Sequence, residues 1–134
     1  MKKEFIPYEQ ALALKEIGFD EPCLANYSPK FNLYHPEKNY LFNLKSTMLG
    51  NNECKAPTFS QAFRWFREKF KAEGYINLND SKENNFHYYF NYINTNNIHN
   101  RREYCDFFIG NFKTYEEAEL ECLKKLIEIV TNKN

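Results

Sequence analysis

The chain has 134 residues and a mass of 16.2 kDa, and its 18 Lys and Arg residues balance 18 Asp and Glu residues. At about 100–200 residues per domain, this length predicts a single domain over residues 1–134. The neutral balance excludes proteins that act through bulk charge, such as histone-like proteins. No window approaches about 18 consecutive apolar residues, which excludes a transmembrane helix. Met1–Pro7 lacks the apolar segment of a signal peptide, so we expect a cytoplasmic protein.

The first predicted helix begins at Pro7, whose fixed φ suits a first helical turn. Apolar residues then recur at helical spacing, at Tyr8, Ala11, Leu12, Leu14 and Ile17. Gly18 suits the left-handed position after a helix, and Phe19 is placed to contact Leu14 in a Schellman-type closure. The sequence therefore predicts that this helix ends just before Gly18.

Short extended segments follow, and prolines interrupt them. The predicted segments are Cys23–Ser28, Phe31–Tyr34 and Asn39–Leu44. Because Pro29 and Pro36 cannot donate to a sheet ladder, these segments are typical of edge strands or of a meandering loop. The polar, glycine-containing segment Lys45–Lys55 predicts a loop.

The second predicted helix has the clearest start in the chain. Thr58 and Gln61 form a capping-box pattern directly after Pro57. One apolar stripe follows at helical spacing, composed of Phe59, Ala62, Phe63, Phe66 and Phe70. Gly74 is predicted to end this helix.

Strands are predicted next, over Tyr75–Asn79, Phe86–Ile93 and Tyr104–Gly110. The middle strand carries aromatic rings on both faces, because Tyr89 lies between Tyr88 and Phe90. Such a strand is either buried on both sides or presents one aromatic face to a partner. A homodimer through this sheet is the simplest form of the second case.

The third predicted helix opens with a second capping box, formed by Thr114 and Glu117. Its core stripe is Leu120, Leu123, Leu126, Ile127 and Val130. Together the elements predict an α+β domain with an antiparallel sheet of about four to six strands and three helices mainly on one face, in the order α-β-β-α-β-β-β-α.

Four cysteines, at positions 23, 54, 105 and 122, form no CxxC pair. Structural zinc sites bring their ligands in close pairs and a reducing compartment disfavours disulfides, so we expect neither. Cys105 in a strand pattern and Cys122 on a helix flank are expected to act as small buried apolar residues. A Cys–His nucleophile stays open as the alternative, although no motif indicates one.

The second helix also carries a basic stripe, because Arg64, Arg67 and Lys71 are spaced i, i+3 and i+7. Trp65 lies on the opposite flank with Lys69. A basic stripe near a tryptophan is typical of a surface that binds phosphate and stacks a base. The alternative is a solvated helix face, with Trp65 closing the edge of the core.

Arg101 and Arg102 form a second basic candidate in the polar segment Asn94–Glu103. An arginine-rich loop is suited to contact a nucleic acid or an acidic protein surface, and the alternative is an ordinary hairpin loop. No metal-ligand spacing joins the histidines, which are His35, His87 and His99. Phosphate-binding glycine motifs and serine-hydrolase motifs do not occur, so we expect no enzyme, no metal and no cofactor.

From Phe59 onward, the predicted order α-β-β-β-α is similar in outline to a double-stranded-RNA-binding domain. That family grips phosphates with lysines at the start of its last helix. The matching segment here, Thr114–Glu119, is acidic and would repel phosphates.

Three segments resemble a family of small proteins of Bacteroidetes genomes, phages and prophages. They are Pro7–Cys23, Gln61–Lys69 and Thr114–Glu128. The resemblance implies a protein of a mobile element, and such proteins are often inhibitors of host defence. One such group comprises anti-CRISPR proteins that block the RNA-guided RNA nucleases of type VI systems.

The leading hypothesis is a non-enzymatic binding protein that inhibits a host defence effector, such as a CRISPR nuclease, by occupying it or by disturbing its guide RNA. Its expected partner-binding residues are Arg64, Trp65, Arg67, Lys71, Arg101 and Arg102. Two alternatives stay open. One is a nucleotide sponge, in which Tyr and Trp rings stack a signalling nucleotide between protomers, and the other is direct RNA binding.

Overall fold

The computed structural model describes residues 4–28, 32–34, 50, 52–80, 86–94, 103–104 and 109–133. In chain order they form α1 (Tyr8–Glu16), β1 (Ala25–Ser28), β2 (Asn32–Tyr34), β3 (Cys54–Ala56), α2 (Phe59–Phe70), β4 (Ala72–Asp80), β5 (Phe86–Asn94), β6 (Glu103–Tyr104), β7 (Ile109–Phe112) and α3 (Tyr115–Lys133). The predicted α+β class and the order of the helices among the strands are confirmed.

The contacts within the chain group its residues into two compact units, Met1–Ala62 and Phe63–Asn134, and α2 crosses the boundary between them. The described strands belong to two antiparallel sheets rather than to the one that the sequence predicts. The prediction of a single domain over residues 1–134 stays a prediction. None of the helices in the described ranges is long and apolar enough to cross a membrane.

The Met1–Ala62 unit contains a three-stranded sheet in the order β2-β1-β3. In this sheet Tyr27 lies opposite Leu33, and Ala25 lies opposite Ala56. α1 packs against β3. The buried apolar side chains of this unit are Phe5, Ile6, Ala11, Leu14, Phe19, Cys23, Ala25, Tyr27, Cys54, Ala56, Phe59 and Ala62.

The end of α1 confirms the predicted Schellman closure. Gly18 has φ 102°, in the left-handed region. Its N–H donates to the carbonyl of Lys15 at 3.1 Å, and the N–H of Phe19 donates to the carbonyl of Leu14 at 2.9 Å. Phe19 and Leu14 are both buried, so the same turn that satisfies the last carbonyls also contributes two side chains to the core.

The segment Lys45–Lys55 is predicted as a loop, but β3 begins within it, at Cys54. The three residues of β3 are all buried, so the strand lacks the alternation that reveals strands in a sequence. Lys55 is buried because its ammonium lies 3.1 Å from the Asp20 carboxylate and donates to the Asp20 carbonyl. A buried lysine that pairs with a partly exposed carboxylate thus occupies a position where an apolar residue is typical. The predicted segment Asn39–Leu44 lies outside the described residues.

The sheet of the Phe63–Asn134 unit is built on a long hairpin. β4 pairs with β5 over its whole length, from Ala72 opposite Asn94 to Asp80 opposite Phe86. β6 and β7 both pair with the other side of β5. The described residues of the predicted strand Tyr104–Gly110 therefore belong to two strands, and residues 105–108 lie outside the described residues. Five residue steps separate Tyr104 from Ile109, while their partners Ile93 and Phe90 are three steps apart, so one regular strand cannot satisfy both registers.

α3 packs against β4, β5 and β7. One half of its predicted capping box is present, since Thr114 Oγ1 accepts the N–H of Glu117 at 3.1 Å. The Glu117 carboxylate accepts the N–H of Lys113 at 3.3 Å, one residue before the cap. Leu123, Leu126 and Val130 are buried as predicted, together with Ala118 and Cys122.

α2 ends at Phe70, and not at Gly74 as predicted. Lys71 takes the left-handed conformation with φ 55°, and β4 begins at the next residue. Gly74 lies inside β4, where an added Cβ would overlap Cys122 Sγ and lie 3.1 Å from Phe63 Cε1. The glycine is therefore required by close packing rather than by a helix end.

Candidate partner-binding site

The start of α2 is fixed by a side-chain cap. Thr58 Oγ1 accepts the N–H of Gln61 at 3.2 Å, which is one half of the predicted capping box. The Gln61 amide instead donates to the carbonyl of Pro22 at 2.8 Å and to the carboxylate of Glu21 at 3.4 Å. These contacts anchor the first turn of the helix within the Met1–Ala62 unit.

The predicted apolar stripe of α2 is buried at Phe59, Ala62 and Phe66, and half-buried at Phe63 and Phe70. A helix buried along one side leaves the other side to solvent. The predicted basic residues Arg64, Arg67 and Lys71, hereafter the basic face of α2, are all exposed. Arg64 and Arg67 lie one turn apart on the helix, whereas Lys71 follows the last helical residue, Phe70, and so does not occupy the predicted i+7 position of the stripe.

A carboxylate lies beside the basic face of α2. Glu73 Oε1 lies 4.0 Å from Arg67 Nε, and Glu73 Oε2 accepts the Tyr75 hydroxyl at 2.9 Å. Arg67 is 53% exposed and Glu73 is 35% exposed, so this ion pair is screened and contributes little to stability. Its main effect is to link the side chains of Arg67, Glu73 and Tyr75 in one row at the surface.

Sequence reasoning missed Glu73 and Tyr75 as members of this surface. Glu73 follows Arg67 by six positions, and the helix ends between them, so neither the helical nor the strand period relates the two side chains. The two side chains lie on either side of Lys71, whose left-handed conformation separates the end of α2 from the start of β4. A lysine gives no signal for that conformation in a sequence, unlike a glycine.

Trp65 is buried, with 4% of its surface exposed. Its ring packs edge-on against Phe66 and Phe70, at centroid distances of 5.2 Å and 5.1 Å, and Lys69 Nζ lies 5.4 Å from its ring centre. In this arrangement the indole is not offered to a partner for stacking. The alternative interpretation, that Trp65 closes the edge of the core, fits its burial. Arg101, Arg102 and His99 lie outside the described residues.

Three of the cysteines, Cys23, Cys54 and Cys122, are buried free thiols. Burial raises the pKa of Cys23 to about 12, of Cys54 to about 11 and of Cys122 to about 12. Because the thiolate is the nucleophile, such thiols are unreactive at neutral pH, as expected of apolar core residues. Cys105 and His35 lie outside the described residues.

The structure also shows which side of β5 faces α3. Tyr88 packs edge-on against Tyr115 of α3 at 6.0 Å, and Lys125 of α3 lies 6.0 Å from the ring centre of Tyr92. Phe90 lies between them, 2% exposed, and stacks on Phe112. Tyr89 and the residues that alternate with it therefore point to the opposite side of the sheet.

On that opposite side, Asn77 Nδ2 donates to Asn91 Oδ1 at 3.0 Å across the two strands of the hairpin. Tyr89, Asn91 and Ile93 are half-buried, and Tyr75 is 42% exposed. This side of the hairpin continues from Glu73 and carries a mixture of rings, amides and one carboxylate.

Within the part of the chain that the structure describes, no group of three or more His, Cys, Asp or Glu side chains is placed to hold a metal ion. No protein-family model, curated protein or solved structure matches the chain.

Proposed function

We propose that this chain is a binding protein that inhibits a host defence effector, most specifically a CRISPR RNA-guided nuclease, and that it contacts the effector through the basic face of α2. The observation that carries the proposal is the exposure of Arg64 and Arg67, one turn apart, on a helix that is buried along its other side. Guanidinium groups held on a rigid element lose little entropy on binding and are enriched among the residues that dominate protein interfaces. The resemblance of three segments to proteins of phages and prophages supports the choice of a defence effector as partner.

The charges around this face favour a protein partner over a nucleic acid. Glu68 is exposed between the basic positions, and Glu73 lies 4.0 Å from Arg67. A surface that tracks a phosphate backbone requires an uninterrupted positive potential, because its affinity comes from the displacement of counterions. Alternating charges instead suit a protein surface of complementary pattern, where they set specificity and the association rate.

The test is a comparison of three baits in pull-downs from lysates of candidate host cells, each with and without nuclease treatment. The baits are the wild-type chain, the double variant Arg64→Glu/Arg67→Glu and the control variant Lys124→Glu. Lys124 is 45% exposed on α3 and pairs with Glu121, so the control reverses a comparable surface charge away from α2. Unchanged melting temperatures in all three baits establish that a loss of binding is local.

We expect a protein that survives nuclease treatment, is retained by the control and is lost with the double variant. The recovered protein is then purified, and the wild-type chain should inhibit its nuclease activity while the double variant does not. Recovery of RNA, or of proteins that are lost on nuclease treatment, would instead indicate RNA binding with a steep salt dependence. An empty eluate from every lysate, or equal capture by all three baits, contradicts the proposed face.

A further inference from the structure

Two exposed apolar side chains of the Phe63–Asn134 unit meet at one place. Leu78 is 49% exposed and Tyr115 is 44% exposed. Leu78 lies opposite Tyr88 in the register of β4 and β5, and the Tyr115 ring packs edge-on against the Tyr88 ring at 6.0 Å. Cross-strand partners have Cβ atoms about 4.5–5.5 Å apart, so Tyr88 joins the three side chains into one surface, hereafter the Tyr115 patch.

The path of α3 explains why this patch is open. A Cβ added at Gly74 of β4 would overlap Cys122 Sγ, so the middle of α3 lies over β4. The first residue of α3, Tyr115, packs instead against Tyr88 of β5, so the helix crosses the hairpin obliquely. Leu78 points to the same side of the sheet as Gly74, because the register between them is regular. Its exposure shows that the helix does not cover it.

The rim of the Tyr115 patch is acidic. Burial and the charge of Glu119 raise the pKa of the Tyr115 phenol, and burial and the charge of Glu116 raise the pKa of Glu119. Both carboxylates therefore lie near the patch, Glu116 exposed and Glu119 half-buried. Over residues 113–119, one lysine and three glutamates leave a net charge of −2. The N-terminus of the helix offsets only about half a unit of that charge.

We propose that the Tyr115 patch binds a partner protein through a segment in which an arginine or lysine adjoins an apolar residue. The apolar residue covers Leu78. The basic side chain lays its aliphatic stem on the tyrosine rings and brings its charge beside the carboxylates of Glu116 and Glu119.

The charges of the rim disfavour the other occupants of this surface. A second copy of the chain would bring its own acidic rim against this one, and a nucleic acid would bring phosphates. The proposal does not depend on the basic face of α2, so either surface can fail its test without the other.

The first test follows the amide resonances of the ¹⁵N-labelled wild-type chain during titration with capped hexapeptides. One peptide alternates arginine and leucine. In the second peptide glutamate replaces the arginines, and in the third glycine replaces the leucines. We expect the arginine–leucine peptide alone to shift the amides of Leu78, Tyr88 and Tyr115. Its dissociation constant should rise several-fold between about 0.05 M and about 0.5 M salt, because salt screens exposed charges.

Variants then locate the site. Glu116→Lys and Leu78→Ser should each raise the dissociation constant of the arginine–leucine peptide at least about fivefold. Glu128→Lys is the matched control for charge, because Glu128 is an exposed glutamate later on α3. Leu24→Ser is the matched control for apolar surface, because Leu24 is another exposed leucine, at 66%, in the Met1–Ala62 unit. Both controls should leave the dissociation constant unchanged.

The comparison of peptides uses only the wild-type chain, so it stands even where a variant does not fold. Absence of any shift with the arginine–leucine peptide overturns the proposal, as does equal binding of the glutamate–leucine peptide. Equal weakening by the variants and their controls also contradicts it. Shifts of the same amides when the chain alone is concentrated would show that a second copy occupies the patch instead.

Discussion

The two sides of the β4–β5 hairpin are built in different ways. On the side that faces α3, Phe90 is buried and stacks on Phe112 at 6.2 Å, and Gly74 leaves no room for a side chain beside Cys122. On the other side, Asn77 and Asn91 bond to each other, and Tyr75 bonds to Glu73. Close packing of side chains stabilises the first side, and hydrogen bonds between side chains stabilise the second. Truncating a side chain to alanine should therefore cost more stability on the first side than on the second.

Phe90→Ala should have the largest effect. It removes a buried ring and leaves a cavity beside Phe112, which typically costs about 3–5 kcal/mol of the free energy of unfolding. Tyr89→Ala is the matched variant, since Tyr89 is the neighbouring residue on the opposite side and is only half-buried. Urea unfolding of both variants measures the contrast, and equal losses would show that the two sides do not differ as described.

Gly74→Ala should have the next largest effect. It adds a methyl group to a closely packed contact, whereas Phe90→Ala leaves a cavity. The new methyl group would overlap Cys122 Sγ and approach Phe63 Cε1, so the strand or α3 must shift, at a cost of about 1–3 kcal/mol. Gly50→Ala is the control, because the nearest atom to its added Cβ is Glu53 Cδ at 3.7 Å. Thermal unfolding should show a lower melting temperature for Gly74→Ala alone. A Gly74→Ala variant as stable as the wild type would mean that α3 adjusts without strain.

Local signals predicted the helix starts and the end of α1, since a threonine cap and a left-handed glycine act within a few residues. The end of α2 and the burial of β3 were not predictable in this way. Lys71 adopts a left-handed conformation that non-glycine residues disfavour, and the buried Lys55 pairs with Asp20, which is distant in sequence.

The candidate site shows the same contrast between local signals, which the sequence reveals, and contacts that depend on the folded chain. Helical spacing alone placed Arg64 and Arg67 on one exposed face, whereas the contribution of Glu73 depends on the junction at Lys71, where the helix ends and the strand begins. Trp65 shows the limit of such reasoning, because its spacing fits a flank of the helix and only the packed structure shows that this flank is buried.

Asn77→Ala, on the polar side of the hairpin, should have the smallest effect on the free energy of unfolding. It removes one cross-strand hydrogen bond between partly exposed amides, which contributes about 0.5–1.5 kcal/mol. A double-mutant cycle with Asn91→Ala isolates that bond from the other contacts of Asn91. We expect a coupling free energy of the same size by urea unfolding. Additive effects of the two substitutions would show that the bond does not stabilise the fold, and that this side of the hairpin is held by its rings instead.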